Sequence, residues 1–552
     1  MYKRVTCCKI SIFSRHYAQF NPRNADRFGL LVKRIPHVER MKSVDRNKKN
    51  GKIIEDTASF LGFKDKDHIA DISTPISKKF QSKMDKEKSR SEFYRMQGGD
   101  FFGRKVVLEC SKPEFNHYEG MRYHRGRDTI PLFSQHWANC KHNNDWFKVY
   151  RTEKFNSSLI SYGDRTWSRF ISLIHPKVFR PLVRLFKAPT KVQYEFLREF
   201  PLSDHLFLAG ETGSGKTYAY ALILISRIMQ SKENGIKEKA IIIVPSLLLR
   251  DQTLEKLNEL NSELGLKIKA SKKEEFIRDP NDFDILIATP GGAVRTLKGL
   301  DEDVQIPYVV MDEADNLLDE SFVSEITEFL HRVPIKYSHM NPNKKEGARL
   351  IFTSATCPDD LQDLAEGIVD APRIRYLLSP NLHRIPPNIT QTFIRVREMD
   401  KIKKLVELLR KEPENAKSLI FCKNNDTVKW VSGELLKNGF ENLKLTSGEE
   451  NVMEKIPAFK FFVATDLASR GLDMRGLSHV INYNFPKHLV DYLHRIGRVG
   501  RCNSSRLSQK VTSFVREAHE VNHVNRIEMT LRLNRVLSGI ETDVAGQLMD
   551  RK

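Results

Sequence analysis

From about residue 165 onward, short apolar runs alternate with amphipathic stretches. Runs at 205–209, 240–244, 283–288, 308–311 and 350–353 read as buried strands. Helical spacing fills 218–229, 248–260 and 322–330 between them. A link containing Pro380, Pro386 and Pro387 follows, and then the texture repeats. Strands are expected at 419–422, 443–445, 461–464 and 480–484, and helices at 401–409 and 428–437. Strands separated by helices imply parallel βαβ units with both sheet faces covered. Two such blocks predict an α/β chain of two tandem doubly wound parallel-sheet domains, with chemistry at the C-terminal ends of the strands. Helical spacing returns at 521–537. Before residue 151 the pattern is weak, and charge-rich stretches such as 42–52 and 78–95 read as solvated and partly disordered.

Composition narrows the classes. At 552 residues the chain has room for three to four domain-sized units. No apolar run approaches the roughly 18–20 residues of a membrane span, so no stable membrane insertion is expected. Seven scattered cysteines without a CxxC pair fit neither a disulfide framework nor a zinc site. Lys and Arg number 91 against 70 Asp and Glu, a net charge of +21, which favours an anionic partner, nucleic acid first. Residues 1–100 carry 23 Lys or Arg against 12 Asp or Glu, about half of that excess. The first 25 hold Lys3, Arg4, Lys9, Arg15 and Arg23 with no acid before Asp26. Such a basic, acid-free, amphipathic start reads as a mitochondrial targeting segment, with the matrix as destination. Arg15-His16-Tyr17-Ala18 resembles a matrix-protease site cut after Tyr17. The same stretch also fits a basic arm that binds RNA.

The strongest chemical signal is Gly210-Glu211-Thr212-Gly213-Ser214-Gly215-Lys216-Thr217, which fits G-x-x-x-x-G-K-[ST] between an expected strand and an expected helix. Its backbone N–H groups and the helix N-terminus suit phosphate oxygens. Lys216 is expected to neutralise the β and γ phosphates of ATP, and the Thr217 hydroxyl to ligate Mg²⁺. About a hundred residues later an apolar strand ends in Asp312-Glu313. Asp312 is placed to hold the Mg²⁺ directly or through water, and Glu313 to orient the attacking water.

Further ordered motifs carry a family resemblance. Asp312-Glu313-Ala314-Asp315 with Ser354-Ala355-Thr356 resembles a DEAD-box RNA helicase. The resemblance continues through Leu419-Ile420-Phe421-Cys422, Ala464-Thr465-Asp466, Ser469-Arg470-Gly471-Leu472-Asp473, and His494-Arg495-Ile496-Gly497-Arg498-Val499-Gly500-Arg501. It covers roughly residues 165–520. Within the family, the basic start makes the chain most similar to fungal mitochondrial members that assist large mitoribosomal subunit assembly. The resemblance implies two RecA-like domains and RNA-dependent ATP hydrolysis. It also implies RNA as partner, mitochondrial large-subunit rRNA in particular. The corresponding organisation is a targeting segment 1–17, a basic extension 18–160, a first RecA-like domain 161–378, a linker 379–390, a second domain 391–520 and a basic helical tail 521–552.

The resemblance also implies roles for single residues. Phe186, Pro189, Thr190 and Gln193 resemble the adenine-reading Q-motif, with Phe170 or Trp167 as a further upstream aromatic. Asp473 would contact the ribose. Arg498 and Arg501 would act as arginine fingers on the γ-phosphoryl group. Asp315, Ser354, Thr356, His494 and Arg495 would couple the ATP site to strand separation. Pro290, Gly291, Thr465 and Arg470 would contact the RNA backbone. Two departures concern the RNA path. Where relatives read Pro-Thr-Arg-Glu-Leu the chain has Pro245-Ser246-Leu247-Leu248-Leu249, and where they read Thr-Pro-Gly-Arg it has Thr289-Pro290-Gly291-Gly292. The polar stretch before Ser354 is also longer than expected. A complete ATP site beside an eroded RNA path leaves a second reading open, an ATP-dependent RNA clamp or assembly scaffold with little unwinding.

Overall fold

A computed structural model describes residues 106–112, 132–138, 143–151 and, apart from short internal stretches, 165–540. The expected targeting segment, the charge-rich stretches 42–52 and 78–95, and Arg470, Asp473 and Arg501 lie outside the described residues. Two parallel-sheet lobes follow one another. The strands are β1 (Val106–Cys110), β2 (Trp146–Arg151), β3 (His205–Ala209), β4 (Ala240–Ile243), β5 (Ile268–Ala270), β6 (Ile285–Ala288), β7 (Tyr308–Asp312), β8 (Arg349–Ser354), β9 (Ile374–Leu378), β10 (Ile389–Arg395), β11 (Lys417–Phe421), β12 (Asn442–Leu445), β13 (Phe461–Ala464), β14 (Leu477–Asn482) and β15 (Gln509–Val515). Every strand expected from the apolar runs forms, with ends shifted by a few residues.

The first sheet has the order β5-β6-β4-β7-β8-β3-β9, all parallel. Successive residues of β3 serve opposite faces. Leu206 and Leu208 join the cluster under the helix Lys216–Glu233, while Phe207 and Ala209 join the cluster on the other side. A strand buried on both faces therefore reads as a continuous apolar run. The long polar stretch before Ser354 folds at the N-terminal end of β8, opposite the strand ends that carry the chemistry.

The second sheet has the order β1-β2-β10-β15-β14-β11-β13-β12. Its outer pair was not legible in the patterning. β1 and β2 precede the first lobe in sequence, yet pair antiparallel and extend the second lobe's sheet beside β10. Phe147 of β2 stacks on Phe393 of β10 at 4.8 Å and packs against Phe133 and Trp137. These four aromatic side chains are fully buried, each worth roughly 1.5–3 kcal/mol or more. The short 3-10 helix Phe133–Ala138 is tied to the C-terminal helix Ala518–Leu533 by Glu528. That carboxylate accepts from Phe133 N and Ser134 N, both at 2.9 Å, and from Ser134 Oγ at 2.6 Å. The chain thus enters the second lobe, builds the first, and returns.

His205 sets an acid limit on the first lobe. Its Nδ1 accepts from Leu350 N at 2.9 Å, which leaves the proton on Nε2, 2.7 Å from the Lys336 carbonyl. Burial depresses its pKa from 6.5 to about 4. The ring stays neutral when folded but protonates near 6.5 when unfolded, so its contribution is complete above pH 6.5 and lost as pH falls toward 4. Urea melts of the first lobe between pH 7 and 4 are expected to show a loss of about 1.4 kcal/mol per pH unit from this group over that window. His205→Gln should flatten the slope.

Candidate functional site

The site begins where β3 turns into the helix Lys216–Glu233. Gly213 and Gly215 adopt φ of 82° and 93°, a region that strains any residue with a Cβ. At Gly215 a Cβ would also lie 2.5 Å from Gln193 Nε2. The loop runs into the N-terminus of the helix Lys216–Glu233, an end that suits an anion. Lys216 is buried and folds over the loop, donating to the Gly210 carbonyl at 2.6 Å and to that of Glu211 at 3.3 Å. Gly210 N donates to the Ser354 carbonyl at 3.1 Å, so the loop is anchored to β8. Glu211 accepts from Ser379 Oγ.

Gln193 is buried, and its amide grips the loop itself. Oε1 accepts from Thr190 N at 2.9 Å in a capping box, and Nε2 donates to the Gly215 carbonyl at 3.2 Å. One N–H and one lone pair remain for a base edge. Phe186 is half-buried with its ring edge-on to Tyr218 at 4.6 Å. Of the two upstream aromatics, Trp167 donates Nε1 to the Phe186 carbonyl, whereas Phe170 packs on Tyr194. Gln193 therefore ties the start of its own helix to the phosphate loop.

Asp312 ends β7 with a nearly saturated carboxylate. Oδ2 accepts from Tyr220 Oη at 2.8 Å; Oδ1 accepts from Glu313 N at 3.1 Å and from Thr353 Oγ1. One lone pair is left. Mg²⁺ keeps several of its waters, so this donor set fits a hydrated cation held through water. Glu313 follows at φ 56°, ψ 54°, a costly conformation for a residue with a Cβ. It is buried, and its Oε2 has no hydrogen-bond partner among the described residues.

The second lobe meets this site directly. Asp315 Oδ2 accepts from Thr356 Oγ1 at 2.6 Å and from His494 Nε2 at 2.9 Å. Thr356 N in turn donates to Ser354 Oγ at 3.2 Å. His494 Nδ1 lies 4.0 Å from Glu313 Oε2. Glu313, Asp315 and His494 bring ligand-type atoms within 4.8 Å of one another, but the Asp315–His494 hydrogen bond makes them a latch between lobes. Arg498 follows on the same turn, buried, with Nε donating to the His494 carbonyl at 3.0 Å. Arg495 points back into its own lobe: four of its N–H groups bind Asp466, Asn482 and Asn484. It braces the end of β13 next to Thr465.

Gly497 is a residue that motif reading left without a role. A Cβ there would lie 2.6 Å from Thr212 Oγ1 of the phosphate loop. Gly497→Ala is expected to oppose lobe closure by about 1–3 kcal/mol of overpacking, a roughly 5- to 150-fold loss of closed population. ATP turnover at saturating RNA should fall, while ATP affinity of the open protein stays unchanged.

The two departures also have structural reasons. Leu247, which stands where relatives have the arginine, is half-buried in the first turn of its helix, and the next residue, Leu248, in the glutamate's place, lies in the second lobe's apolar cluster with Val452 and Ile456. At Gly292 a Cβ would sit 2.5 Å from Ser271 Oγ and 3.3 Å from Ser271 Cβ, so a larger side chain there requires the Ser271 hydroxyl to turn away. Pro290 and Gly291 open the helix Pro290–Lys298 beside it.

The family model for DEAD/DEAH box helicases matches residues 190–364, and that for the helicase conserved C-terminal domain matches residues 400–503. The chain is 31% identical over 477 residues to the probable ATP-dependent RNA helicase DDX28 of Mus musculus, covering 80% of this chain and 87% of that one. It is 29% identical over 416 residues to the ATP-dependent RNA helicase DRS1 of Lodderomyces elongisporus, covering 70% and 56%. Among solved structures it resembles S. cerevisiae Dbp5 bound to RNA and ADP BeF3, with a TM-score of 0.57 at 22% identity over 70% of this chain and 98% of that one.

Proposed function

The chain belongs to the DEAD-box family of ATP-dependent RNA helicases, and from that premise we propose how its residues carry RNA-dependent ATP hydrolysis and where it works. One observation carries the assignment. The acid-bearing strand end and the phosphate loop of one lobe face His494 and Gly497 of the other across the Asp315–His494 bond. Phosphates entering the loop take over the Lys216 ammonium from the Gly210 and Glu211 carbonyls and the Ser214 N–H from the Glu211 carbonyl, and gather the N–H groups of Gly213 and Gly215. Phe186 and Gln193 receive the base, and Asp473 the ribose. Mg²⁺ held by Thr217 and Asp312 supplies charge neutralisation at the phosphates. Glu313 orients water for attack on the γ-phosphorus as the bond to ADP breaks. Arg498 and Arg501 stabilise the charge on the phosphoryl oxygens, a role worth on the order of 10³–10⁵ in related NTPases.

RNA lying across Pro290, Gly291, Thr465 and Arg470 favours the same closed state, so ATP and RNA bind with positive coupling. Closure runs through Ser354, Thr356, Asp315 and His494, with Arg495 fixing the strand end that carries Thr465. Backbone contacts give little sequence preference. Leu247 and Gly292 favour a second reading, a clamp that holds RNA with little unwinding, because each stands where relatives carry an arginine. ATPase assays set against duplex unwinding separate the two.

The basic start supports import into the mitochondrial matrix and action on large-subunit rRNA during mitoribosome assembly. Crosslinking the tagged protein in isolated organelles and sequencing the bound RNA tests this. Large-subunit rRNA should dominate, and a cytosolic RNA spectrum would refute it. RNA affinity of the basic arm is best probed by removing residues 26–100, since a longer deletion takes β1 and β2 from the second lobe's sheet. Affinity at moderate salt should drop, with a shallower salt dependence.

A further inference from the structure

The link between the lobes leaves the first lobe at Ser379, whose N–H donates to the Ala209 carbonyl at 2.9 Å. Leu382 still packs against the first lobe's cluster of Phe207 and Phe352, whereas Ile385 is buried in the second lobe's cluster with Leu537. The change of partner falls within three residues, and between them His383 takes the left-handed conformation, at φ 61°. Two hydrogen bonds hold it there. Its ring Nε2 accepts from Cys357 N at 2.9 Å, which places the ring proton on Nδ1. Its carbonyl accepts from Leu537 N at 3.0 Å, on the tail beyond the C-terminal helix. Cys357 is buried and directly follows Thr356, whose hydroxyl holds Asp315 in the latch with His494.

We propose that His383 is a positioning residue for lobe closure, a clasp that joins the segment after β8 to the tail of the second lobe. That segment is then held by the second lobe at two points, through Asp315 and His494 at the ATP site and through His383 and Leu537 at the link. Two points fix the rotation of one lobe on the other where a single bond leaves it free. Hinge motions are absorbed by a few loop residues, and a rotation between Leu382 and Ile385 parts one of the two His383 contacts, since one lies on each lobe. A buried N–H that loses its acceptor costs more than one that can turn to water. The clasp therefore acts on the closed arrangement rather than on either lobe alone. The inference rests on the positive coupling of ATP and RNA proposed above.

The test uses the full chain and a labelled single-stranded RNA, whose affinity is measured by fluorescence anisotropy without nucleotide and with a non-hydrolysable ATP analogue. His383→Asn suits the left-handed backbone but is too short to reach Cys357 N. It should weaken RNA binding roughly 5- to 10-fold with the analogue present, and leave nucleotide-free RNA affinity and RNA-free ADP affinity unchanged. In turnover, the half-saturating RNA concentration should rise while the rate at saturating RNA stays near the parent's. His383→Gln returns an acceptor oxygen at the reach of Nε2 and should recover most of the coupling. His383→Gly, which also accepts this backbone, serves if His383→Asn does not fold. RNA affinity with the analogue equal to the parent's in the ring-deleted protein would overturn the proposal. So would an equal loss with and without nucleotide, which marks damage to the RNA surface, and an equal loss in the Asn and Gln variants, which assigns the effect to the backbone of the link. A parent protein whose RNA affinity ignores the nucleotide would refute the coupling itself, and the clasp with it.

Discussion

Glu313→Gln is expected to lower ATP turnover at saturating RNA by about 10²–10⁴, the usual contribution of a positioned acid–base group. The substitution changes charge and little else. Residue 313 keeps its left-handed backbone, because that conformation follows from Glu313 N reaching Asp312 Oδ1. Oε2, buried and without a hydrogen-bond partner among the described residues, is the atom that loses basicity. The Asp315–His494 latch does not involve it, so ATP-dependent RNA binding should survive and the complex should persist longer. Single-turnover hydrolysis and RNA dissociation in the presence of ATP measure the two halves. Hydrolysis at the parent rate would remove Glu313 from the chemistry. Normal RNA remodelling by a protein that no longer hydrolyses ATP would instead favour the clamp.

The largest stability effect is expected far from the ATP site, at Glu528→Ala. Glu528 is completely buried and holds two backbone N–H groups, the Ser134 hydroxyl and the Arg532 guanidinium. Removing it breaks a buried ion pair and takes the carboxylate from the donors at Phe133 and Ser134, which costs about 3–5 kcal/mol. For a lobe of this size the melting temperature should fall by roughly 6–20 °C. Hydrogen exchange should show the loss first at Phe133 and Ser134, with the strands of the first lobe protected as before. A melting temperature within a degree of the parent, with protection at 133–134 retained, would mean that aromatic packing alone docks the N-terminal strands.

Much of this protein was determined by local sequence. The strands at β3, β4, β6, β7 and β8 announce themselves as apolar runs because both sheet faces are covered, and Gly213, Gly215 and Lys216 announce the phosphate loop because few other residues tolerate that backbone or supply that charge. Tertiary structure alone decided the rest, wherever the partner is distant in sequence. β1 and β2 join a sheet whose other strands lie more than 200 residues onward, through Phe147 on Phe393, and no local period encodes that pairing. Leu248 looks like one more apolar position of its own helix until the second lobe is seen packed over it, and Gly292 meets Ser271 only once the strands are assembled. Gly497 and His383 share one cause. Each is an ordinary residue in its own stretch of chain, and each meets its partner, Thr212 or Cys357, only when folding brings the two together.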